Sequence, residues 1–183
     1  MNIIIISSIR CGGNYFMSQL SETYNLRPVH EPKKLKNIDD FSKDGYSGVC
    51  VKILTDFPTD DISKIAEYSK NFDYIFLLDR RNLEEHFKSI YVVYQVTNKI
   101  AVKWNWDDEY KKNNNYNLKE VEYKKWIKDK SDSLNTLSNL LGIEVLYYED
   151  LYYNTESCNL YGLKFNPDTN KKLFSLSTNK NII

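Results

Sequence analysis

The chain has 183 residues, enough for one domain with a buried core, and shows neither an internal repeat nor a linker, so we expect residues 1–183 to form a single domain. Its 25 lysine and arginine residues balance 25 aspartate and glutamate residues, which argues against nucleic acid or an anionic membrane as a partner and makes any anion site local. Three scattered cysteines and two histidines form neither a disulfide framework nor a zinc signature, so we expect a reduced, cytoplasmic protein.

Short β-type runs alternate with helical stretches along the chain, which predicts an α/β, P-loop-like three-layer fold. Its centre is expected to be a mainly parallel sheet of about four to five strands flanked by helices. In the first half of the chain we expect a strand at residues 2–8, a turn-rich loop at 7–14, a helix at 15–24, a strand at 48–54 and a helix capped by Thr59 that runs to about Ser69. The first strand contains four consecutive isoleucines, Ile3 to Ile6, as expected of a strand buried on both faces, and this apolar run is too short for a secretory signal or a membrane span.

The second half of the chain continues this alternation. In order, we expect a strand at residues 74–79, a helix that starts at Asn82, a polar loop or lid at 98–117, a helix at about 118–141, a strand at 143–148 and an irregular C-terminal segment at 152–183. Asn82 and Glu85 have the spacing of a capping box, in which each residue bonds a backbone N–H of the other. Gly142 is well placed to terminate the long helix.

The loop between the first strand and the first helix has the features of an anion site. Its backbone N–H groups point to one place, where the helix dipole also favours negative charge. Gly12 and Gly13 let the backbone approach a ligand, and Arg10 adds a planar guanidinium that suits phosphate or sulfate oxygens. Asn14 and Tyr15 stand where a Walker A loop has its lysine and hydroxyl residue, which argues against a nucleoside-triphosphate loop. A tight turn with a solvated Arg10 is the alternative.

A second anion site is expected after the third strand. Arg80 and Arg81 follow the carboxyl end of this strand, where ligands of open α/β sheets bind. Ser89 lies on the following helix, off its apolar stripe. An arginine at a strand tip and a serine two turns into the next helix can converge on one phosphate. A surface arginine in an ion pair and an incidental helix serine are the alternative.

Several stretches, in this order, resemble sulfotransferases that use 3′-phosphoadenosine 5′-phosphosulfate (PAPS), and are most similar to the bacterial trehalose-sulfotransferase-like branch. Residues 8–14 correspond to the 5′-phosphosulfate loop, His30-Glu31-Pro32 to a short acidic motif near the acceptor, residues 77–82 with Ser89 to the 3′-phosphate motif, and Tyr148-Glu149-Asp150-Leu151 to the signature after the last strand. Val51-Lys52-Ile53-Leu54 is similar to the strand that carries a lysine-containing motif. Gly13 and Asn14 replace the hydroxyl residues of the family loop.

The resemblance implies transfer of the sulfuryl group of PAPS to a hydroxyl of a carbohydrate or other small molecule, with 3′-phosphoadenosine 5′-phosphate (PAP) as product and no metal. The residues implied to bind the nucleotide are Arg10, Cys11, Gly12, Gly13, Asn14, Tyr15, Arg80, Arg81 and Ser89. Arg10 is expected at the leaving phosphate and Lys52 at the sulfuryl or bridging oxygen. Glu31 is the preferred general base and His30 the alternative.

Two other functions stay open at this point. A module that binds PAP or PAPS without turnover is favoured by Gly13 and Asn14, and a nucleotide kinase or other phosphotransferase is disfavoured by the missing Walker lysine. The chain is also short for the family. The resemblance therefore implies an acceptor pocket that is either reduced in size or completed by a partner subunit in a homo-oligomer.

Overall fold

The structure, a computed structural model, describes residues 1–55, 61–87, 89–90 and 116–153, with 116–120 and 152–153 described by their backbone alone. The predicted loop or lid lies outside the described residues except for its last two positions, which are helical, and so does the C-terminal segment from residue 154. The described residues fall into two compact units, one within 1–81 and 130–153 and the other within 82–129. The single domain expected from the sequence stays a prediction.

The first unit is built on a five-stranded sheet in which every pair of neighbouring strands is parallel. Its strands are β1 (Ile3–Ser7), β2 (Leu26–His30), β3 (Gly48–Leu54), β4 (Tyr74–Asp79) and β5 (Val145–Tyr147). They lie in the order β2-β3-β1-β4-β5, so β1 is central, and all five of its residues are buried. The parallel α/β sheet predicted from the sequence is confirmed.

The edge strand β2 was not expected from the sequence. It carries Arg27, Pro28 and His30, and lacks the β-branched composition that identifies the other strands. Proline is tolerated there because an edge strand needs hydrogen bonds on one side only. The pairing continues one residue beyond the strand, where the N–H of Glu31 donates to the carbonyl of Lys52 at 2.8 Å. This strand therefore fixes the backbone of Glu31 next to β3.

Besides a helical stretch at residues 83–87, the α-helices of the described residues are α1 (Gly13–Tyr24), α2 (Ile62–Ser69), α3 (Tyr116–Leu141) and α4 (Tyr148–Tyr153). The predicted start of α2 at Thr59 is wrong. Thr59 lies outside the described residues, and α2 begins after Asp61, whose carboxylate accepts from the N–H groups of Ser63 and Lys64. Aspartate caps a helix at least as well as threonine, so the cap nearer to the apolar positions determines the start. Among the described residues, no helix is apolar enough over sufficient length to cross a membrane.

Two other predicted helix boundaries are confirmed. Gly142 ends α3 with φ +67°, and its N–H donates to the carbonyl of Ser138 at 2.9 Å. The left-handed conformation of this residue is the one that glycine adopts without a steric penalty. In the second unit, residues 83–87 are helical, and the Oδ1 of Asn82 accepts from the N–H of Glu85 at 3.0 Å. Asn82 therefore caps this helix as its sequence spacing predicts.

Apolar side chains cover both faces of the sheet, which makes the first unit a three-layer structure. On one face, strand residues pack with α1 through Ile3, Ile5, Phe16, Met17 and Leu20. On the other face, they pack with α2 and the end of α3 through Ile4, Ile6, Ile65, Leu134 and Leu137. Full burial of each such side chain contributes about 1.5–3 kcal/mol. The faces of β1 alternate along the strand, so its last residue, Ser7, lies on the α1 face.

Candidate anion-binding site

The strand order places the loop after β1 between two neighbouring strand ends. Carboxyl ends of parallel strands lie at one edge of a sheet, and ligands of open α/β sheets bind there. The sheet extends slightly into this region, because the N–H of Ser8 donates to the carbonyl of Leu78 and that of Thr55 donates to the carbonyl of Ser7. The loop therefore has β3 with Lys52 on one side, and β4 followed by Arg80 on the other.

The loop leads into α1 through two residues with left-handed backbone. Gly12, with φ +75°, occupies the N-cap position, and its carbonyl accepts the first helical hydrogen bond from the N–H of Phe16 at 3.0 Å. As a glycine it has no side chain with which to bond the first N–H groups of the helix. Arg10 has φ +62°, a conformation that costs a non-glycine residue about 1–2 kcal/mol. Such strain is common at ligand-binding loops.

The first residue of α1, Gly13, lies directly against two polar side chains. A Cβ atom on Gly13 would lie 2.9 Å from Cε of Lys52 and 3.0 Å from Oγ of Ser7, so no larger residue fits without a shift. Ser7 is fully buried, and its Oγ has no hydrogen-bond partner among the described residues. Buried hydroxyls are rarely left unpaired. An anion bound by the first turn of α1 would therefore meet a lysine and a hydroxyl donor at the same place.

Lys52 is held by Glu31. Its Nζ donates to Oε1 of Glu31 at 2.7 Å, and its side chain is only 6% exposed, against 28% for Glu31. The backbone of Glu31 has φ +40°, a left-handed conformation that is strained for a residue other than glycine. His30, the last residue of β2, is in register with Lys52 and exposed. Two of the residues predicted from the sequence, Lys52 and Glu31, are therefore in direct contact beside the loop.

Arg80 approaches the loop from β4. Its side chain is 5% exposed, its guanidinium carbon lies 4.5 Å from the ring centroid of Tyr148, and its Nε lies 3.7 Å from Oε1 of Glu149. In the described part of the chain this Nε has no hydrogen-bond partner. Desolvation lowers the pKa of Arg10, and the positive charge of Arg80 lowers this pKa further. Arg10 is an exposed residue, so solvent screens this repulsion between the two guanidinium groups.

Arg81 has a different environment from its neighbour Arg80. Its side chain is 54% exposed, its Nη1 donates to Oδ1 of Asp150 at 2.5 Å, and its guanidinium lies 4.2 Å above the ring of Tyr147. Its pKa is raised, chiefly by the hydrogen bond to Asp150. Its N–H donates to Oε2 of Glu149 at 3.0 Å. Arg81 is therefore a surface arginine with a carboxylate partner, whereas Arg80 is buried.

The other site residues predicted from the sequence, in the loop after β1 and in the motif after β4, differ in how far they are buried. The Cys11 side chain is buried in the core, and its Sγ donates to Oδ1 of Asp79 at 3.8 Å. Burial and this carboxylate raise the pKa of the Cys11 thiol, so the thiol stays protonated. Asn14 is exposed and Tyr15 is partly exposed on the first turn of α1. Ser89 is helical and belongs to the second unit.

Sequence reasoning missed Ser7 and the aromatic support of the arginines. Ser7 is a polar residue at the end of an otherwise apolar buried strand, and this break in the pattern could have identified it. The sequence identifies Tyr148 only as part of a motif, yet its ring lies against Arg80. Desolvation raises the pKa of Tyr148, while the charges of Arg80 and Arg10 oppose this shift. No local pattern relates Tyr148 to Arg10, because separate elements bring them together.

Taken together, these groups form a site suited to a phosphate- or sulfate-sized anion. The N-terminus of α1 supplies backbone donors, Ser7 a hydroxyl, and Lys52, Arg10 and Arg80 positive charge. None of the family models, curated proteins and solved structures compared with this chain matches it.

Proposed function

We propose that this chain is a PAPS-dependent sulfotransferase that transfers a sulfuryl group to a hydroxyl acceptor. The observation that carries the proposal is the position of Lys52, which contacts the first turn of α1 at Gly13 and donates to Glu31. A cation that can reach an anion on the helix N-terminus is thus bonded to a carboxylate that can act as a base. Sulfuryl transfer needs both groups at one place.

In this proposal the 5′-phosphosulfate of the donor binds to the N-terminus of α1. The acceptor hydroxyl attacks the sulfur in line, the bond from sulfur to the phosphate oxygen breaks, and a new bond forms between sulfur and the acceptor oxygen. Glu31 takes the hydroxyl proton. Negative charge grows on the leaving phosphate, where Arg10 stabilises it, and Lys52 does so at the sulfuryl or bridging oxygen. His30, exposed at the end of β2, is the alternative base.

Arg80 and Arg81 take separate roles in the proposal. Arg80 is buried, and its charge acts on Arg10, which supports a role at the 5′ end of the nucleotide. Arg81 is the candidate for the 3′-phosphate. Because Arg81 already bonds Asp150, the 3′-phosphate must compete with this carboxylate. Arg81→Ala should weaken adenosine 3′,5′-bisphosphate binding about tenfold more than adenosine 5′-phosphate binding; equal losses would remove Arg81 from this role.

Ligand binding and sulfate transfer test the proposal. Adenosine 3′,5′-bisphosphate should raise the melting temperature, whereas ATP should not, and labelled PAPS should transfer its sulfate to members of a panel of hydroxyl acceptors. A larger shift with ATP would favour a phosphotransferase. Gly13 and Asn14, which replace hydroxyl residues, favour a nucleotide-binding module as the second candidate. Binding of the bisphosphate with no transfer across a broad panel would support that module and contradict the enzyme.

A further inference from the structure

The charged residues at the carboxyl edge of the sheet follow a symmetric order. Along the strands β2-β3-β1-β4-β5, Glu31 follows β2, Lys52 lies in β3, the loop follows β1, Arg80 follows β4 and Glu149 follows β5. A cation thus flanks the loop on each side, and a carboxylate lies outside each cation. Lys52 bonds Glu31 at 2.7 Å, and Arg80 lies 3.7 Å from Glu149. Each flanking cation therefore has an internal counter-ion.

The two carboxylates are held differently. Glu149 is anchored to the backbone, because its Oε2 accepts from the N–H of Arg81 at 3.0 Å. For the Glu31 carboxylate, Nζ of Lys52 is the hydrogen-bond partner that the described residues provide. Glu31 is also more than a quarter exposed and has a left-handed backbone. Release of Glu31 from Lys52 breaks one side-chain hydrogen bond, and the freed carboxylate is partly solvated. Displacement of the Glu149 carboxylate would also leave the N–H of Arg81 unpaired.

We infer that Glu31 is an internal counter-ion that competes with the anionic ligand for Lys52. The lysine side chain is only 6% exposed and lies beside the first turn of α1, where a Cβ atom on Gly13 would lie 2.9 Å from Cε of Lys52. An anion on the N-terminus of α1 places a second negative group next to the same ammonium. The two anions repel each other and share its donors, so ligand binding weakens the bond to Glu31.

This exchange gives the site a second property, which rests on the proposed function. When the phosphosulfate group takes the ammonium, the carboxylate of Glu31 is released from Nζ of Lys52, and its oxygen becomes available to the acceptor hydroxyl. Glu31 would then accept the proton of the acceptor hydroxyl only after the donor has bound. Lys52 thus couples occupancy of the anion site to activation of the base. The competition itself depends only on the anion site, not on sulfate transfer.

Calorimetric titration with inorganic sulfate, pyrophosphate and adenosine 3′,5′-bisphosphate tests the competition. Glu31→Gln keeps the shape of the side chain and removes its charge, so these anions should bind about tenfold more tightly, the size of one charge-assisted hydrogen bond. Glu149→Gln is the matched control on the other flank and should tighten binding about twofold or less, if at all. Equal tightening by both variants, or no change with Glu31→Gln, would overturn the inference.

A double-mutant cycle shows whether the effect acts through Lys52. In a Lys52→Met background, Glu31→Gln should leave the affinity for pyrophosphate nearly unchanged, and an undiminished tenfold gain there would contradict the inference. Should Glu31→Gln not fold, Glu31→Asp replaces it. This carboxylate ends one C–C bond farther from Nζ, which weakens its bond to Lys52, so about threefold tighter binding is expected, and unchanged binding would overturn the inference.

The same titrations separate this inference from the proposed function. Tighter sulfate and pyrophosphate binding by Glu31→Gln, with no binding of adenosine 3′,5′-bisphosphate, supports the counter-ion and contradicts the sulfotransferase. Binding of the bisphosphate with equal affinity in wild type and Glu31→Gln contradicts the counter-ion alone. If neither protein binds any of the three anions, both proposals are wrong.

Discussion

The two flanks of the loop after β1 hold their positive charge in different ways. On the β3 flank, one buried lysine bonds one partly exposed carboxylate, Glu31. On the β4 flank, two consecutive arginines each lie over a tyrosine ring and next to an acidic residue, and Glu149 also accepts a backbone N–H. The first arrangement can exchange its counter-ion at small structural cost. The second arrangement holds the charge of the buried Arg80 in place, because Glu149 is fixed by a backbone N–H.

The largest effect is expected on the exchangeable flank. Lys52→Met should lower the rate of sulfate transfer about 100- to 1000-fold, because it removes a cation placed where charge develops. Initial rates at saturating PAPS measure this loss. Lys34→Met, which removes an exposed lysine, is the control and should keep the wild-type rate. A Lys52→Met protein that folds and transfers sulfate at the wild-type rate would show that this flank is structural only.

The loop between the flanks should give the next largest effect. Arg10→Ala should lower the rate of transfer about 100-fold while the affinity for adenosine 3′,5′-bisphosphate falls less than tenfold, because the proposed role of Arg10 is at the leaving phosphate. Rates at saturating donor and calorimetry on the same preparation separate the two quantities. An affinity loss equal to the rate loss would mean that Arg10 binds the ground state equally well.

On the β4 flank, substitution of the arginines should change the free energy of unfolding. Arg80→Met removes a buried cation and leaves Glu149 without it, so the free energy of unfolding should fall by about 2–4 kcal/mol. Arg81→Met breaks a half-exposed ion pair and should cost less than about 1 kcal/mol. Urea denaturation of the two variants measures the difference between adjacent residues of the same type. Equal losses would show that Arg80 is no more structural than Arg81.

The smallest effect is expected at the contact between the loop and Lys52. Gly13→Ala adds a Cβ 2.9 Å from Cε of Lys52, the flexible end of a long side chain, so Lys52 should shift rather than the backbone. We expect sulfate to bind about threefold more weakly, with the free energy of unfolding changed by less than about 1 kcal/mol because alanine favours the helix. Thermal melts and a sulfate titration measure both. Tighter sulfate binding would contradict the proposed contact between anion and Lys52.

Much of the fold could be predicted from the sequence because buried strands leave a strong local pattern. The apolar runs that became β1, β3 and β4 are nearly continuous, as strands covered on both faces must be. The edge strand β2 lacks this pattern, because its position requires backbone pairing and little burial. Glu31 could therefore be predicted as a candidate base, but its bond to Lys52 could not.

The chain itself determines which residue types follow each strand, and hence that cations and glycines gather at one edge of a parallel sheet. Tertiary structure alone decided how each of them is used. Lys52 is buried beside α1, where Gly13 has no side chain to exclude it. Arg80 rather than Arg81 is buried because Tyr148 and Glu149, from a distant part of the chain, lie next to it. Local patterns carry no information about such partners, since burial and ion pairing depend on contacts between residues far apart in sequence.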